Sequence, residues 1–265
     1  MANFRIPGPL CSSRTPWSLD DGTLPRSLTP LPGIICASSP TYPTTWLQQQ
    51  RALPGTDDLA FLFRECRNPV RGLSAEDFEA AAKTLDVDAA SIQAVAEVET
   101  SGNAFDDSGR PRILFERHYF HRQTGGRYDA KHASISNARS GGYGKFSAQY
   151  TKLEEAYRLA PEAALRSASW GRFQIMGDNF KAAGYASVSE FVLAMTRAEA
   201  EHLKAFSNFV LSHKSMHAAL KKQDWAAFAR AYNGPGYKAN KYDTKLSEAY
   251  QHYSGKQSTE GAKKP

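Results

Sequence analysis

The chain has 265 residues, a hydrophobic content of 41% and a net charge of +6, which is enough apolar side chain for one sizeable domain. It contains no run of about 18 apolar residues, so the sequence predicts no membrane span. The basic balance suits an anionic partner such as a cell-wall polymer or nucleic acid. Nucleic acid is the weaker candidate, since there is no aromatic RNA-binding motif, zinc-finger spacing or block of basic residues.

The first part of the chain, residues 1–55, is rich in Pro, Ser and Thr and has neither helical nor strand periodicity. We predict that it is disordered, because it cannot bury enough apolar surface to offset chain entropy. Proline also interrupts any apolar stretch near the start, so no secretory signal is recognised. The three cysteines, Cys11, Cys36 and Cys66, form no CxxC pair and predict neither a disulfide framework nor a zinc site.

Two helices are predicted where order begins. The first opens at Ser74, which forms a capping-box pattern with Asp77, and its apolar residues recur at helical spacing. The second has Asp88 as its N-cap and Gly102 as the residue after its end. Its buried face is predicted to consist of Ile92, Val95, Ala96 and Glu99.

Glu99 is the acid on that apolar face. A carboxyl group at the end of an apolar stripe is desolvated, which raises its pKa and keeps it protonated closer to neutral pH. That is the property a general acid needs for cleaving a glycosidic bond. The alternative is an ordinary Glu at a helix end that reaches water. Glu97 lies roughly 200° around the helix, on the side predicted to face solvent.

The segment from Ile113 predicts a buried apolar element that continues as a short helix. Glu116 follows the apolar residues directly, so it requires a partner, and Arg117 or another arginine is the candidate for a structural ion pair. His118 and His121 have no third ligand at a diagnostic spacing, so we predict no metal site. The glycine- and serine-rich stretch after this helix, residues 125–150, predicts a small lobe that is either irregular or a β-hairpin.

Helices dominate the second half of the chain. They are predicted over about 150–159, from Pro161, over about 197–213, from Asp224 to a stop at Asn233–Gly236, and over a last segment with Tyr237, Tyr242, Leu246 and Tyr250. The polar end, residues 254–265, is predicted to fray. Between these helices, Gln174 stands in a turn among apolar residues and must be either a structural bracket or a ligand contact.

Three motifs occur in one order along the chain: an acid-bearing helix end at Glu99, a Gly-Arg-Phe-Gln-Ile-Met turn at 171–176, and Ala-Tyr-Asn-Gly-Pro-Gly at 231–236. In this order they resemble the lysozyme-like superfamily, with its goose-type lysozymes and soluble lytic transglycosylases. The fuller string, with Ile-Leu-Phe-Glu-Arg-His at 113–118 and Ser-Ala-Ser-Trp-Gly at 167–171, is similar to the N-acetylmuramidase domain of bacteriophage endolysins. The resemblance covers about residues 70–253.

The resemblance implies a peptidoglycan-degrading enzyme in which Glu99 donates the proton to the glycosidic oxygen. The residues that it assigns to substrate binding are Gln174, Tyr232, Asn233, Ser169, Trp170 and Tyr237. The second carboxylate stays open: Glu116 is the first candidate, and Asp106 or Asp107 follows. A base would lie about 6.5–9.5 Å from the acid for inversion and about 5–5.5 Å for retention. A transglycosylase would need none.

We therefore predict a mainly α, lysozyme-like domain over residues 56–253 with a small irregular or β-hairpin lobe, between a disordered segment at 1–55 and a polar basic tail at 254–265. The resemblance implies no cofactor and no metal, peptidoglycan strands as substrate, and a monomer without membrane insertion. It also implies synthesis in the host cytoplasm, action on the wall, and release by a separate holin-type pore. The alternative from another class is a non-catalytic protein that binds peptidoglycan.

Overall fold

The computed structural model describes Leu59 and residues 68–99 and 103–261, with the side chains of 256–261 excepted. The segment 1–55 that we predicted to be disordered and the predicted helix-ending Gly102 lie outside these residues. Within them the α-helices are α1 (Ala75–Leu85), α2 (Ala89–Glu99), α3 (Arg117–Thr124), α4 (Gln149–Leu159), α5 (Pro161–Arg166), α6 (Val188–Met195), α7 (Glu199–Ser212), α8 (Lys214–Lys221), α9 (Trp225–Asn233) and α10 (Tyr242–Gly261). The prediction of a mainly α fold is confirmed.

A small antiparallel sheet accompanies the helices. Its strands are β1 (Ile113–Phe115), β2 (Ala168–Trp170) and β3 (Ile175–Met176), in the order β1-β2-β3. Ile113 pairs with Trp170, and Ser169 pairs with Met176. The sheet thus brings the segment that precedes Glu116 beside the turn that contains Gln174.

The helix starts follow the predicted capping. The Ser74 hydroxyl accepts the Asp77 backbone N–H, and the Asp77 carboxylate accepts the Ser74 N–H, which completes the capping box. The Asp88 carboxylate accepts the Ser91 N–H at 2.6 Å and caps α2. On α2, the side chains at Ile92 and Val95 are fully buried, because this helix packs between α1 and α10. The predicted face of α2 is therefore the core face.

Two local predictions had different outcomes. Residues 125–150 are irregular, as predicted, and the alternative of a hairpin does not apply there, because that stretch contains no strand. The hairpin is formed instead by β2 and β3, which are too short to show an alternating pattern. The end of the chain does not fray at Ser254, since the backbone of α10 stays helical to Gly261. Packing against α2 stabilises the earlier part of α10. Once a helix has formed, each further residue adds a backbone hydrogen bond, so the helix extends into the polar end.

None of the helices in the described part of the chain combines the length and the hydrophobicity that a membrane span requires.

Candidate active site

Glu99 is the last residue of α2, and only 8% of its surface is exposed. Burial raises the pKa of its carboxyl group from 4.5 to about 7, because the charged form loses its hydration. The Asn233 side-chain amide, at the end of α9, donates to Glu99 Oε1 at 3.3 Å and acts in the opposite direction by favouring the anion. The site therefore holds a carboxyl group that is half protonated near neutral pH.

Glu97 has a different environment, although it is two residues away. Its side chain is exposed. It lines an open groove of about 350 Å³ together with Lys245 and His252 of α10. The prediction that Glu99 faces the core and Glu97 faces solvent is confirmed.

Two tyrosines lie within electrostatic range of Glu99. Burial raises the pKa of Tyr232 and of Tyr242, and the negative charge of Glu99 raises both further. The Tyr232 hydroxyl donates to the Phe173 carbonyl at 2.7 Å, and its ring stacks on Phe228 at 5.7 Å between centroids. Tyr232 therefore ties α9 to the turn between β2 and β3. Tyr242 was not predicted as a site residue, and its local sequence pattern carries no signal of this proximity.

Gln174 is held by three hydrogen bonds within the protein. Its amide nitrogen donates to the carbonyls of Gly171, at 2.8 Å, and Arg112, at 3.2 Å, while its amide oxygen accepts the Ser169 hydroxyl at 2.9 Å. Its backbone φ of 48° is in the left-handed region, which is unusual for a residue other than glycine. Strained residues of this kind cluster at functional sites. The amide thus brackets its own turn, and the residue stays half-buried.

The turn is held by two side chains of α7, Glu199 and His202, which both contact Arg172. The Arg172 backbone N–H donates to His202 Nδ1 at 3.0 Å, and the Arg172 guanidinium pairs with Glu199. Gly171 has a φ of 69°, and a Cβ placed there would lie 2.8 Å from the His202 ring. Glycine is therefore required at this position by both conformation and space.

The other residues assigned to substrate binding are buried. Trp170 is 1% exposed and donates its indole N–H to the Leu165 carbonyl at 3.1 Å, while Ser169 and Tyr237 are also buried. In this conformation Trp170 presents no surface to a ligand. These three residues contribute to the site through the packing and hydrogen bonds that hold the turn and the end of α9.

Glu116 is buried at the start of α3, where its backbone N–H bonds to the Ser167 carbonyl at 2.8 Å. Its Oε2 lies 3.1 Å from His118 Nδ1, close enough for an ion pair but without the alignment of a hydrogen bond. Burial and the Glu116 carboxylate raise the pKa of Tyr143. The predicted arginine partner was wrong, because the Arg117 guanidinium turns toward the backbone and donates to the Arg139 carbonyl at 3.1 Å.

The other acids considered for the second position occupy the loop before β1. Asp106 accepts the backbone N–H groups of Ser108 and Arg110 and pairs with the Arg110 side chain at 2.8 Å, so it stabilises that loop. Asp107 is exposed. Among the side chains that the structure describes, no group of three His, Cys, Asp or Glu residues is placed to hold a metal ion.

Comparison with known proteins places this geometry in a family. A family model described as N-acetylmuramidase matches residues 88–254. The crystal structure of the endolysin of Burkholderia phage AP3 is similar at 45% sequence identity, with a TM-score of 0.68 over 72% of this chain and 74% of that one. A comparison with curated proteins gave no significant match. With the acid of α2, the Gln174 turn and Asn233 all inside the matched region, the chain belongs to the N-acetylmuramidase family.

Proposed function

We propose that the protein is an endolysin that cleaves the β-1,4 bond between N-acetylmuramic acid and N-acetylglucosamine in peptidoglycan. The observation that carries this proposal is the Glu99 carboxyl group, which is buried at the end of a helix and whose pKa is raised to about 7. A general acid works best when its pKa lies near the working pH, since it is then often protonated and still acidic enough to transfer the proton.

In the proposed mechanism, protonated Glu99 donates its proton to the glycosidic oxygen as the bond to the anomeric carbon breaks. The carboxylate left behind receives the Asn233 N–H at 3.3 Å, which stabilises the anion that forms during the step. Gln174 and Tyr232 are held in place by hydrogen bonds within the protein before any sugar arrives. They form a wall whose geometry needs no rearrangement on binding.

Glu116 is the proposed base or supporting carboxylate. It is a buried acid of the kind that activates a water molecule in inverting glycosidases.

A second candidate function, lytic transglycosylase, is favoured by one observation. The described contacts of the Glu116 side chain are to His118 and Tyr143, and none of them is to Glu99 or Asn233. A transglycosylase needs no such base, because the 6-hydroxyl of the substrate attacks in place of water.

Digestion of purified peptidoglycan separates the two activities. We expect muropeptides that end in reducing N-acetylmuramic acid, because Glu116 supplies a base for water. A transglycosylase would give 1,6-anhydro ends, whose mass is lower by one water. Mass spectrometry of the products before and after borohydride reduction checks this, since only reducing ends gain hydrogen. Exclusive anhydro products would replace hydrolysis by the second function, and products cut at an amide bond would contradict both.

The raised pKa of Glu99 predicts a pH limit for activity. Because the acid must be protonated and its pKa is about 7, kcat/KM should fall about tenfold for each pH unit above that value. The measurement is kcat/KM on purified wall between pH 5 and 9 at constant ionic strength. An activity that stays flat to pH 9 would show that Glu99 is not the group that donates the proton.

We further propose that the enzyme acts as a monomer without a cofactor. Synthesis in the host cytoplasm and release through a holin-type pore would bring it to the wall, where its net charge of +6 favours association with an anionic polymer at low salt. A non-catalytic role is disfavoured because it would not require an acid with these surroundings at Glu99.

A further inference from the structure

An arginine lies over an exposed aromatic ring next to the Gln174 turn. The guanidinium carbon of Arg112 is 4.3 Å from the centroid of Phe146, and 47% of Phe146 is exposed. Within the described part of the chain, the Arg112 guanidinium forms no ion pair and no hydrogen bond to another residue. We call these two residues the Arg112–Phe146 platform. No described residue therefore competes with a ligand for its N–H donors.

A second stack beside the platform shows what a purely structural arrangement looks like. Arg110 lies 4.1 Å from the centroid of Tyr150. There the charge is neutralised by Asp106 at 2.8 Å, and the Tyr150 ring is buried with its hydroxyl bonded to the Pro111 carbonyl. Among the described residues Arg112 has no such counter-charge, and the Phe146 ring is exposed where the Tyr150 ring is buried.

The two stacks join the same two parts of the chain. Arg110 and Arg112 are two residues apart in the segment just before β1. Phe146 opens a single 3₁₀ turn, Phe146–Ala148, which leads into α4, and Tyr150 is the second residue of that helix. Both stacks therefore connect the segment before β1 to the segment that enters α4.

The platform adjoins the proposed cleft through the backbone of Arg112. The Arg112 carbonyl accepts the Gly171 N–H at 2.8 Å and the Gln174 side-chain amide at 3.2 Å. A glycan strand that contacts the Gln174 turn therefore passes beside the platform. The ligand for which the platform is suited would be a group attached to that strand.

We propose that the Arg112–Phe146 platform binds a carboxylate of the stem peptide carried by the muramic acid residues of the substrate, an inference that rests on the proposed function. The sugar rings of peptidoglycan are neutral where the lactyl carboxyl is amide-linked to the stem, so the negative charge near the glycan lies on the stem peptide. A guanidinium binds a carboxylate through two parallel N–H donors, and a ring beneath it holds the fork flat. The apolar face of Phe146 also suits the aliphatic part of such a peptide.

The test is a comparison of two walls and three proteins. Purified peptidoglycan is used untreated, or with its carboxylates converted to amides by carbodiimide and ammonia. On untreated wall we expect Arg112→Gln to raise KM about five- to tenfold with kcat unchanged, as for loss of a half-exposed charged hydrogen bond. On amidated wall, wild type and Arg112→Gln should have equal KM.

Arg127→Gln is the matched control. Arg127 is an exposed arginine 4.9 Å from the centroid of Tyr128, so the substitution removes the same charge and the same type of stack away from the Gln174 turn. It should leave KM on both walls near that of wild type. Because amidation also weakens general attraction to a basic protein, only the difference between the two variants counts as support.

The same comparison is made by co-sedimentation with the wall, with every protein also carrying Glu99→Gln. Binding then tests the platform whether or not a bond is cleaved. Equal affinity of Arg112→Gln and Arg127→Gln for untreated wall would overturn the proposal, as would an equal loss for Arg112→Gln on both walls. Failure of the proposed function is a separate result, namely no cleavage of untreated wall by wild type.

Discussion

Glu99→Gln should lower the rate of peptidoglycan cleavage by roughly 10²- to 10⁴-fold, the contribution that a general acid typically makes. In the wild type the Asn233 side-chain nitrogen lies 3.3 Å from Glu99 Oε1. Glutamine has the same size as glutamate and keeps an oxygen that can accept this N–H. It lacks only the transferable proton. The measurement is the initial rate of release of soluble fragments from purified wall at pH 6.

Glu97→Gln is the matched control for this loss. It makes the same chemical change two residues away on α2, at an exposed side chain. Its rate should stay within about twofold of wild type, since surface substitutions change stability by only ~0.5 kcal/mol and this one touches no group of the acid site. Equal losses in the two variants, or no loss at Glu99→Gln, would remove Glu99 from the role of proton donor.

The difference in stability between wild type and Glu99→Gln should depend on pH in a direction that a structural carboxylate would not give. Because burial raises the pKa of Glu99 from 4.5 to about 7, the folded wild type binds its proton more tightly than the unfolded chain. Its free energy of unfolding therefore falls as pH rises from 4.5 through 7, by about 3 kcal/mol in all. The variant lacks this loss.

Thermal unfolding of Glu99→Gln should thus match wild type near pH 4.5 and occur at higher temperature than wild type at pH 9. A lower melting temperature for the variant at both pH values would mean that the Glu99 carboxylate stabilises the fold through its charge. Activity and stability then change in opposite directions at pH 9, which is the pattern expected of an acid that is buried for its chemistry.

Sequence periodicity located the acid because helix faces are local properties. Once Asp88 and the apolar spacing define α2, the 3.6-residue period decides that Glu99 faces the core and Glu97 faces water. The same reasoning found the cap at Asp224, whose carboxylate accepts the Ala227 N–H at 3.0 Å. Each of these features depends on residues within one or two helical turns, so the pattern of a single chain is enough.

The parts that sequence reasoning missed depend on contacts between distant segments. β1 and β2 are three-residue strands, too short for an alternating pattern, and they pair across more than fifty residues of chain. The partner of Glu116 was misassigned because the nearest arginine turns toward a backbone carbonyl while His118 occupies the carboxylate side. The proximity of Tyr242 to Glu99 follows from how α10 packs along α2, which no local pattern encodes.

Another contact between distant segments is made by Glu199. Its carboxylate is buried at the start of α7, where it accepts the Gly72 backbone N–H at 2.9 Å and pairs with the Arg172 guanidinium. Arg172 in turn gives its backbone N–H to His202, whose other ring nitrogen contacts the Met195 carbonyl at 2.7 Å. Burial lowers the pKa of His202 to about 4, so this ring is neutral and can accept that N–H at neutral pH.

Glu199→Ala should therefore lower the free energy of unfolding by about 3 kcal/mol, because it leaves the charge of Arg172 and the N–H of Gly72 without their partner. For a domain of this size that corresponds to a fall in melting temperature of roughly 6–12 °C. Cleavage should also weaken, since Arg172 belongs to the turn that holds Gln174. Thermal unfolding and the rate on purified wall measure the two effects on the same sample.

Glu201→Ala is the control for Glu199→Ala, on the same helix and with the same change of charge. Glu201 is a third exposed and lies 3.6 Å from Lys204, a surface pair that contributes ~0–1 kcal/mol. It should leave both melting temperature and rate close to wild type. If the two variants have the same melting temperature, the buried Glu199 carboxylate does not support the turn. If Glu199→Ala has a lower melting temperature but cleaves at the wild-type rate, the Gln174 turn keeps its geometry without support from α7. The three internal hydrogen bonds of Gln174 are then sufficient to hold the turn.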